Sequence, residues 1–477
     1  MDEIRNYQNF INGAFTESES RIEVFNPATE SLISTIPDSD NDAIQNALEA
    51  ATVAKRKWAG KPAIERAQYL RAIASKVRDN KDHLARVISE EQGKTMDLAM
   101  VEVQFTADYI DYMSEWARRI EGEIITSDRQ GENIFLFRKP IGVVAGILPW
   151  NFPFFLIARK MAPALITGNT IVIKPSEETP NNCFEFAKLV AETDLPDGVF
   201  NVISGKGNVG SALSGSPKVD MISFTGSVKT GENIMATAAP NITKLNLELG
   251  GKAPAIVLDD ADIGLAVKAI RDSRIINSGQ VCNCAERVYV QRGIAEEFIA
   301  KITHEMEATR YGNPLEESDI EMGPLVNRQG LEKVQASVDK ALAQGAKLEC
   351  GGSRTANEKG HYFLPTVLSD CENSMDIMKL ETFGPVLPIQ IVDSLDEAID
   401  YANDCEYGLT SSIYTKDLSK VLHAVKMLEF GETYINRENF EAMQGFHAGV
   451  RKSGIGGADG KHGLYEYLST QVVYMQS

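Results

Sequence analysis

Cys282 lies in Asn277-Ser278-Gly279-Gln280-Val281-Cys282-Asn283-Cys284, a polar segment containing glycine, and a thiol presented there is a candidate nucleophile. Thiolate chemistry needs access and a close approach rather than a packed core. It also needs a helix N-terminus, a cation or a base nearby; an inert buried cysteine is the alternative. Glu248 ends Leu245-Asn246-Leu247-Glu248-Leu249-Gly250-Gly251, whose alternation puts three leucines on one face and Asn246 with Glu248 on the other. A carboxylate beside apolar neighbours should have a raised pKa and serve as a general base. A solvated strand residue is the other reading. In Pro149-Trp150-Asn151-Phe152-Pro153, Asn151 either caps a helix that carries Pro153 in its first turn or donates to a developing oxyanion. Cys284 suggests half a metal site, but no second Cys or His pair stands at ligand spacing, so no metal is expected.

These residues need elements to hold them. Ile141–Leu148 reads as a buried strand, Pro153–Leu165 as a helix and Thr170–Lys174 as the next strand. On that helix Phe152, Leu156 and Arg159 share a face, and an Arg among apolar residues requires an anionic or polar partner or a path to water. Strands at Phe200–Ile203, Met221–Phe224 and Ala255–Leu258 continue the alternation, which implies a mostly parallel sheet. Two Gly-rich turns compete as phosphate cradles: Gly205-Lys206-Gly207-Asn208-Val209-Gly210 and Phe224-Thr225-Gly226-Ser227. Thr225 stands where the usual ribose-binding acid would fall, about 20 residues after Gly205. Lys174-Pro175-Ser176-Glu177 at a strand end is the substitute, unless it is an exposed turn.

After Gly250-Gly251 the alternation restarts with a helix over Ala261–Ile276, a strand over Arg287–Gln291 and a helix over Ala295–Arg310, so a boundary falls near there. Asn133–Arg138 alternates without an intervening helix and reads as a hairpin arm. Ser469–Met475 is strand-like and isolated. These two orphans are expected to pair with each other and with a neighbouring subunit.

Composition bounds the chemistry. The 477 residues suit roughly three domains, and 48 Lys plus Arg against 67 Asp plus Glu give a net charge of -19. Such a chain repels nucleic acid and anionic membrane in the absence of a basic cluster. The longest apolar run, Ile141–Trp150, is too short to span a bilayer, which takes about 20 residues. The acidic opening Met1–Asn6 lacks the apolar segment of a secretory leader. Six thinly spread cysteines are unlike a disulfide scaffold and point to the cytoplasm.

The segments together resemble the NAD(P)-dependent aldehyde dehydrogenase superfamily over nearly the full chain. The motifs are Pro149–Pro153, Lys174–Glu177, Phe224–Ser227, Glu248–Lys252, Gly279–Cys282 and Glu381-Thr382-Phe383-Gly384-Pro385. The resemblance implies an α/β fold: a Rossmann-type parallel-sheet NAD-binding domain over 1–118 and 141–250, an α/β catalytic domain over 251–458, and a small β oligomerisation arm over 119–140 and 459–477. It implies that Cys282 attacks an aldehyde, that Asn151 and the Cys282 backbone N–H hold the oxyanion, and that Glu248 activates water against the thioester. It places Gly226 and Ser227 at the pyrophosphate, Gly207 toward the adenine, Lys174 and Glu177 at the adenosine ribose, and Glu381 and Phe383 at the nicotinamide ribose, with Trp150 also among the cofactor-binding residues. A carboxylate at Glu177 should favour NAD over NADP.

Departures from the family point to the substrate. Arg159 replaces a usual aromatic, and His447 of Phe446-His447-Ala448-Gly449 stands where the family has phenylalanine. With Asn283, Glu441 and Phe152 they are expected to form a polar mouth for short hydroxylated aldehydes. This set is similar to the bacterial lactaldehyde dehydrogenases, which also accept glycolaldehyde. An anionic aldehyde such as succinic semialdehyde, clamped by Arg159, is the enzymatic alternative. A non-catalytic homologue is the other.

Overall fold

The computed structural model describes residues 4–355 and 359–477. The first three residues of the opening stretch read as leaderless, 1–3, lie outside the described residues.

Two largely parallel sheets carry the site. The first has five central parallel strands in the spatial order Lys244–Glu248, Met221–Thr225, Val143–Ile147, Thr170–Lys174 and Phe200–Val202. Val143–Ile147 and Thr170–Lys174 are buried at every position, as continuous apolar and β-branched runs are when both faces of a sheet are covered. Short antiparallel strands close the edges, Gly454–Ile455 beside Lys244–Glu248 and Asn9–Ile11 beside Phe200–Val202. From Val143–Ile147 the chain builds outward in one direction and then, with Met221–Thr225, in the other. That reversal opens a crevice at the carboxyl ends of these two strands, where ligands bind in open α/β sheets.

The second sheet has seven strands, and Val386–Val392, Arg287–Gln291, Pro254–Val257 and Thr410–Tyr414 form its parallel centre, with Glu432–Ile435 at one edge. The sheets are joined covalently at the site: Glu248 ends a strand of the first and Pro254 begins one of the second. A third, antiparallel sheet joins Glu123–Thr126, Glu132–Pro140 and the terminal Leu468–Gln476. The two orphan strands pair along the whole terminal strand, from Leu468 opposite Pro140 to Gln476 opposite Glu132.

The helix Pro153–Thr167 lies wholly inside the protein. Phe154, Ile157, Met161 and Leu165 are fully buried in the core beneath the first sheet, each contributing about 1.5–3 kcal/mol. Arg159 and Lys160 are drawn into the same environment. Element ends differ by a few residues from the sequence reading. The helix expected over 261–276 is Ile263–Ile275, because the Asp262 carboxylate accepts from Leu265 N and caps it. Among the described residues no helix is long and apolar enough to cross a membrane.

Candidate active site

The Cys282 loop follows Ile263–Ile275 through three successive left-handed residues, Asn277, Ser278 and Gly279, with φ of 48°, 57° and 75°. Glycine is required at the third: a Cβ on Gly279 would lie 2.2 Å from the Gly384 carbonyl oxygen. Buried charges hold this strained turn in place. Arg274 donates to the Gly279 carbonyl and, at 2.8 Å, to that of Ala285, and it pairs with Glu286 at 3.0 Å. Glu286 also binds Lys252 at 2.6 Å and the Thr382 and Phe383 backbone N–H groups at 3.1 Å. One buried carboxylate thereby ties the Cys282 loop to Lys252 and to the Glu381–Phe383 segment. Cys282 is half-buried. Cys284 is buried, donates to Val281 O at 2.9 Å and has its thiol pushed up to about 12 by burial, so it is chemically quiet.

Asn151 does not cap the helix. The residue before Pro153 is Phe152, with no side-chain cap, and the first-turn N–H groups of Phe154 and Phe155 donate at 2.9 and 3.0 Å to Glu102 from another helix. The Asn151 side chain is freed to face the cysteine loop, where its amide donates to Gln280 O at 3.0 Å. Its backbone carbonyl accepts from Lys94 Nζ at 2.8 Å and Asn277 Nδ2 at 3.1 Å. Lys94 pairs with Glu102 at 2.5 Å and lies 3.5 Å over the Phe152 ring. Both charges are completely buried. This fixes the Asn151 turn against the loop that carries Cys282.

Glu248 corrects the expectation of a raised carboxyl pKa. Burial does push it up, but Lys160 at 3.1 Å, Arg159, His447 and the Thr225 hydroxyl at 2.7 Å hold it down to about 2. Its Oε2 takes both close contacts, and its Oε1 has no hydrogen-bond partner. The carboxylate is ionised and half-committed, with one oxygen available.

Asn151, Phe152, Leu156, Arg159, Glu248, Cys282, Asn283, Glu441 and His447 line one cavity. Its polarity differs from the polar mouth expected from sequence. Arg159 and His447 are buried, at 4% and 2% exposure, whereas Val101 and Phe440 are 51% and 36% exposed. The entrance is therefore apolar, with Phe105 packed between Phe155 at 4.8 Å and Phe440 at 5.8 Å, and the polar groups form the inner wall. Arg159 is already paired: Nε donates to Asp459 at 3.0 Å, and Nη2 donates to Asp459 and, at 3.1 Å, to Glu441. Burial alone would lower its pKa, but Asp459, Glu248 and Glu441 raise it well above the usual guanidinium value. Glu441 also accepts from Asn283 Nδ2. Ion pairing offsets burial there too, with His447 and Arg159 holding its carboxyl below the usual range.

A second cavity lies at the crevice of the first sheet, lined by Trp150, Lys174, Ser176, Glu177, Gly207, Gly210, Gly226, Ser227 and Thr230. Both Gly-rich turns open onto it. Ser227 caps Val228–Ala238 by accepting from Thr230 N, and the backbone N–H groups ahead of Thr230 have no intrahelical partners. A Cβ on Gly207 would meet nothing within 4 Å, so that turn faces open space. Lys174 Nζ pairs with Glu177 at 3.1 Å. Glu381 accepts from Gly251 N at 2.9 Å, its carboxyl raised by burial and by Glu286. Phe383 meets Trp150 edge-on at 5.4 Å. Among the described residues no group of three or more His, Cys, Asp or Glu side chains is arranged to hold a metal ion.

Residues 15–473 match the model of the aldehyde dehydrogenase family. The chain belongs to the aldehyde dehydrogenase family. It is 62% identical over 471 residues to lactaldehyde dehydrogenase of Escherichia coli (strain K12), covering 98% of each chain. It is 42% identical to 3,6-anhydro-alpha-L-galactose dehydrogenase of Vibrio sp. (strain EJY3), covering 99% of each. The crystal structure of the Escherichia coli lactaldehyde dehydrogenase superposes with a TM-score of 0.98 at 61% identity over 100% of both chains.

As an aldehyde dehydrogenase the chain is an enzyme, and the non-catalytic alternative falls away. Sequence reasoning missed the charges that set its electrostatics: Lys94, Glu102, Lys160, Asp459 and Glu432. Two of them carried a signal. Lys160 follows Arg159 inside an otherwise apolar helix, and Glu102 interrupts the apolar run Leu98–Val103. A charge in such a context is almost never fully buried unless it is paired. Nothing local marks Asp459 or Glu432.

Proposed function

We propose that this aldehyde dehydrogenase oxidises small hydroxyaldehydes, lactaldehyde and glycolaldehyde, to their carboxylic acids with NAD. The observation that carries this reading is the polar inner wall beside Cys282, where the buried Arg159, Asn283 and His447 and the half-buried Glu441 line the same cavity as the thiol. A hydroxyl next to the substrate carbonyl finds hydrogen-bond partners along this wall, whereas an alkyl chain gains none there. The likeness to lactaldehyde dehydrogenase agrees. The ion pairs of Arg159 argue against a clamp for an anionic aldehyde, because its charge is already spent on Asp459 and Glu441.

In this mechanism the Cys282 sulfur adds to the aldehyde carbon, and the oxyanion is held by the Asn151 amide and the Cys282 backbone N–H. Glu248 takes the proton of the water that hydrolyses the resulting thioester. The residues of the crevice fit a dinucleotide: Gly226 and Ser227 present a helix N-terminus to the pyrophosphate, Gly207 leaves room toward the adenine, and Lys174 with Glu177 bind ribose hydroxyls. Glu381, Phe383 and Trp150 surround the nicotinamide end. When bound, NAD accepts the hydride released from the substrate carbon. A carboxylate at Glu177 repels a 2'-phosphate, which supports NAD over NADP. On this reading residues 1–118 and 141–250 bind the dinucleotide, 251–458 supply the nucleophile, and 119–140 with 459–477 form the arm. The exposed Ile124, Phe137, Val472 and Tyr474 of the arm support a homo-oligomer, and the chain's acidity and cysteine content support the cytoplasm.

The test is kcat/KM for L-lactaldehyde, glycolaldehyde and succinic semialdehyde with each cofactor. Lactaldehyde or glycolaldehyde should lead with NAD; a tenfold preference for succinic semialdehyde overturns the substrate assignment. Cys282→Ala should abolish NADH formation while NAD still binds, and undiminished turnover in that variant overturns the mechanism.

A further inference from the structure

His447 does more than line the pocket. It lies in an extended bridge to Ala458, 2% exposed, and its Nδ1 meets Glu432 Oε1 at 2.5 Å. Glu432 belongs to the edge strand Glu432–Ile435, and its second oxygen accepts from the Tyr434 hydroxyl at 2.5 Å. A carboxylate can only accept, so the shared proton sits on Nδ1 and Nε2 is left as the second hydrogen-bonding atom of the ring. The imidazole lines the same cavity as the Cys282 thiol. A nucleophile, a base facing it across one cavity and a third group orienting that base are the parts by which hydrolytic triads are recognised.

We propose that His447, oriented by Glu432, is the base that takes the Cys282 proton before the sulfur adds to the aldehyde. The S–H bond breaks and an Nε2–H bond forms, and the sulfur keeps the electron pair. That pair then forms the C–S bond as the carbonyl π pair moves to oxygen, and the imidazolium retains the proton. The step needs no oxidant, and it rests on the reading of Cys282 as the nucleophile.

The surroundings favour the imidazolium that this proton transfer produces. Burial and Arg159 oppose it, but Glu432 and Cys282 outweigh them and raise His447 well above the usual histidine value. The other charged groups facing it are Glu248, Glu441 and Asp459, all anionic partners. Glu248 is thereby relieved of thiol deprotonation. With one oxygen held by Lys160 and Thr225, it keeps the other for water. The two proton transfers are divided between two bases that line the sulfur's cavity.

The test is alkylation of Cys282 by iodoacetamide without aldehyde or cofactor, followed on the Cys282 peptide by mass spectrometry from weakly acidic to weakly alkaline pH. In His447→Phe the rate at neutral pH should fall roughly tenfold or more, and the whole profile should move to higher pH. Glu432→Gln should shift it in the same direction by less. A His447 that only positions substrate raises KM for hydroxyaldehydes and leaves alkylation unmoved, and that result in a folded His447→Phe overturns the proposal. If His447→Phe does not fold, Glu432→Gln decides alone, and an unchanged profile is again contrary. Turnover retained in Cys282→Ala refutes the nucleophile itself, a separate outcome.

Discussion

The two sides of Cys282 are built on different principles. On the crevice side, the proposed ribose pair is partly open to solvent, with the Glu177 side chain 37% exposed and Lys174 6%. Much of the recognition proposed there comes from backbone at a helix start. On the aldehyde side the charged side chains are sealed in, Arg159 at 4% and Asp459 at 1%, and each is satisfied by another. Backbone N–H groups bind a phosphate without a stability cost to the empty protein. A buried guanidinium must be neutralised by the fold itself, so substrate selection on that side is welded to stability.

The sharpest way to break this contrast is to remove one charge from each side. Arg159→Met should lose about 3–5 kcal/mol in denaturant unfolding, since Asp459 keeps a buried charge, and Glu441 a half-buried one, without their cation. Glu177→Gln should change stability by less than about 1 kcal/mol. Equal losses end the distinction. Next in size is Lys160→Met. Lys160 is the strongest of the groups holding Glu248 near 2, so in the parent enzyme Glu248 stays ionised throughout the working range. Without that cation burial dominates, and the carboxyl rises. The kcat profile should then gain an acid limb, moved up by about one pH unit or more, a change of about 1.4 kcal/mol. An unmoved profile separates Lys160 from the base. The smallest effect belongs to the exposed carboxylate: Glu177→Gln should narrow the NAD-to-NADP ratio of kcat/KM about fivefold, about 1 kcal/mol.

The same contrast explains what could be read in the sequence. The crevice motifs are contiguous stretches at strand ends, and a strand followed by Gly226-Ser227 announces a helix N-terminus on its own. Cys282, Glu248 and Asn151 were legible for the same reason, each lying in a short segment with glycine or proline beside it. The aldehyde wall is assembled from residues far apart in the chain. Arg159 meets Glu441 across 282 positions and Asp459 across 300, and Asn283 meets Glu441 across 158. Periodicity showed that Arg159 needed a partner and could not say which. It also misplaced the polar groups at the entrance, because a helix face gives the direction of a side chain but not its depth. The raised pKa expected for Glu248 failed because the sequence shows its apolar neighbours in the strand and hides Lys160 across the fold.

The division of labour between Cys282 and Glu248 is tested most directly by trapping the intermediate. Glu248→Gln mixed rapidly with lactaldehyde and NAD should give a burst of NADH close to one equivalent per site, followed by slow turnover, and acid quenching should leave a lactoyl group on the Cys282 peptide. Linear NADH formation at the parent rate with an unmodified Cys282 would contradict the account.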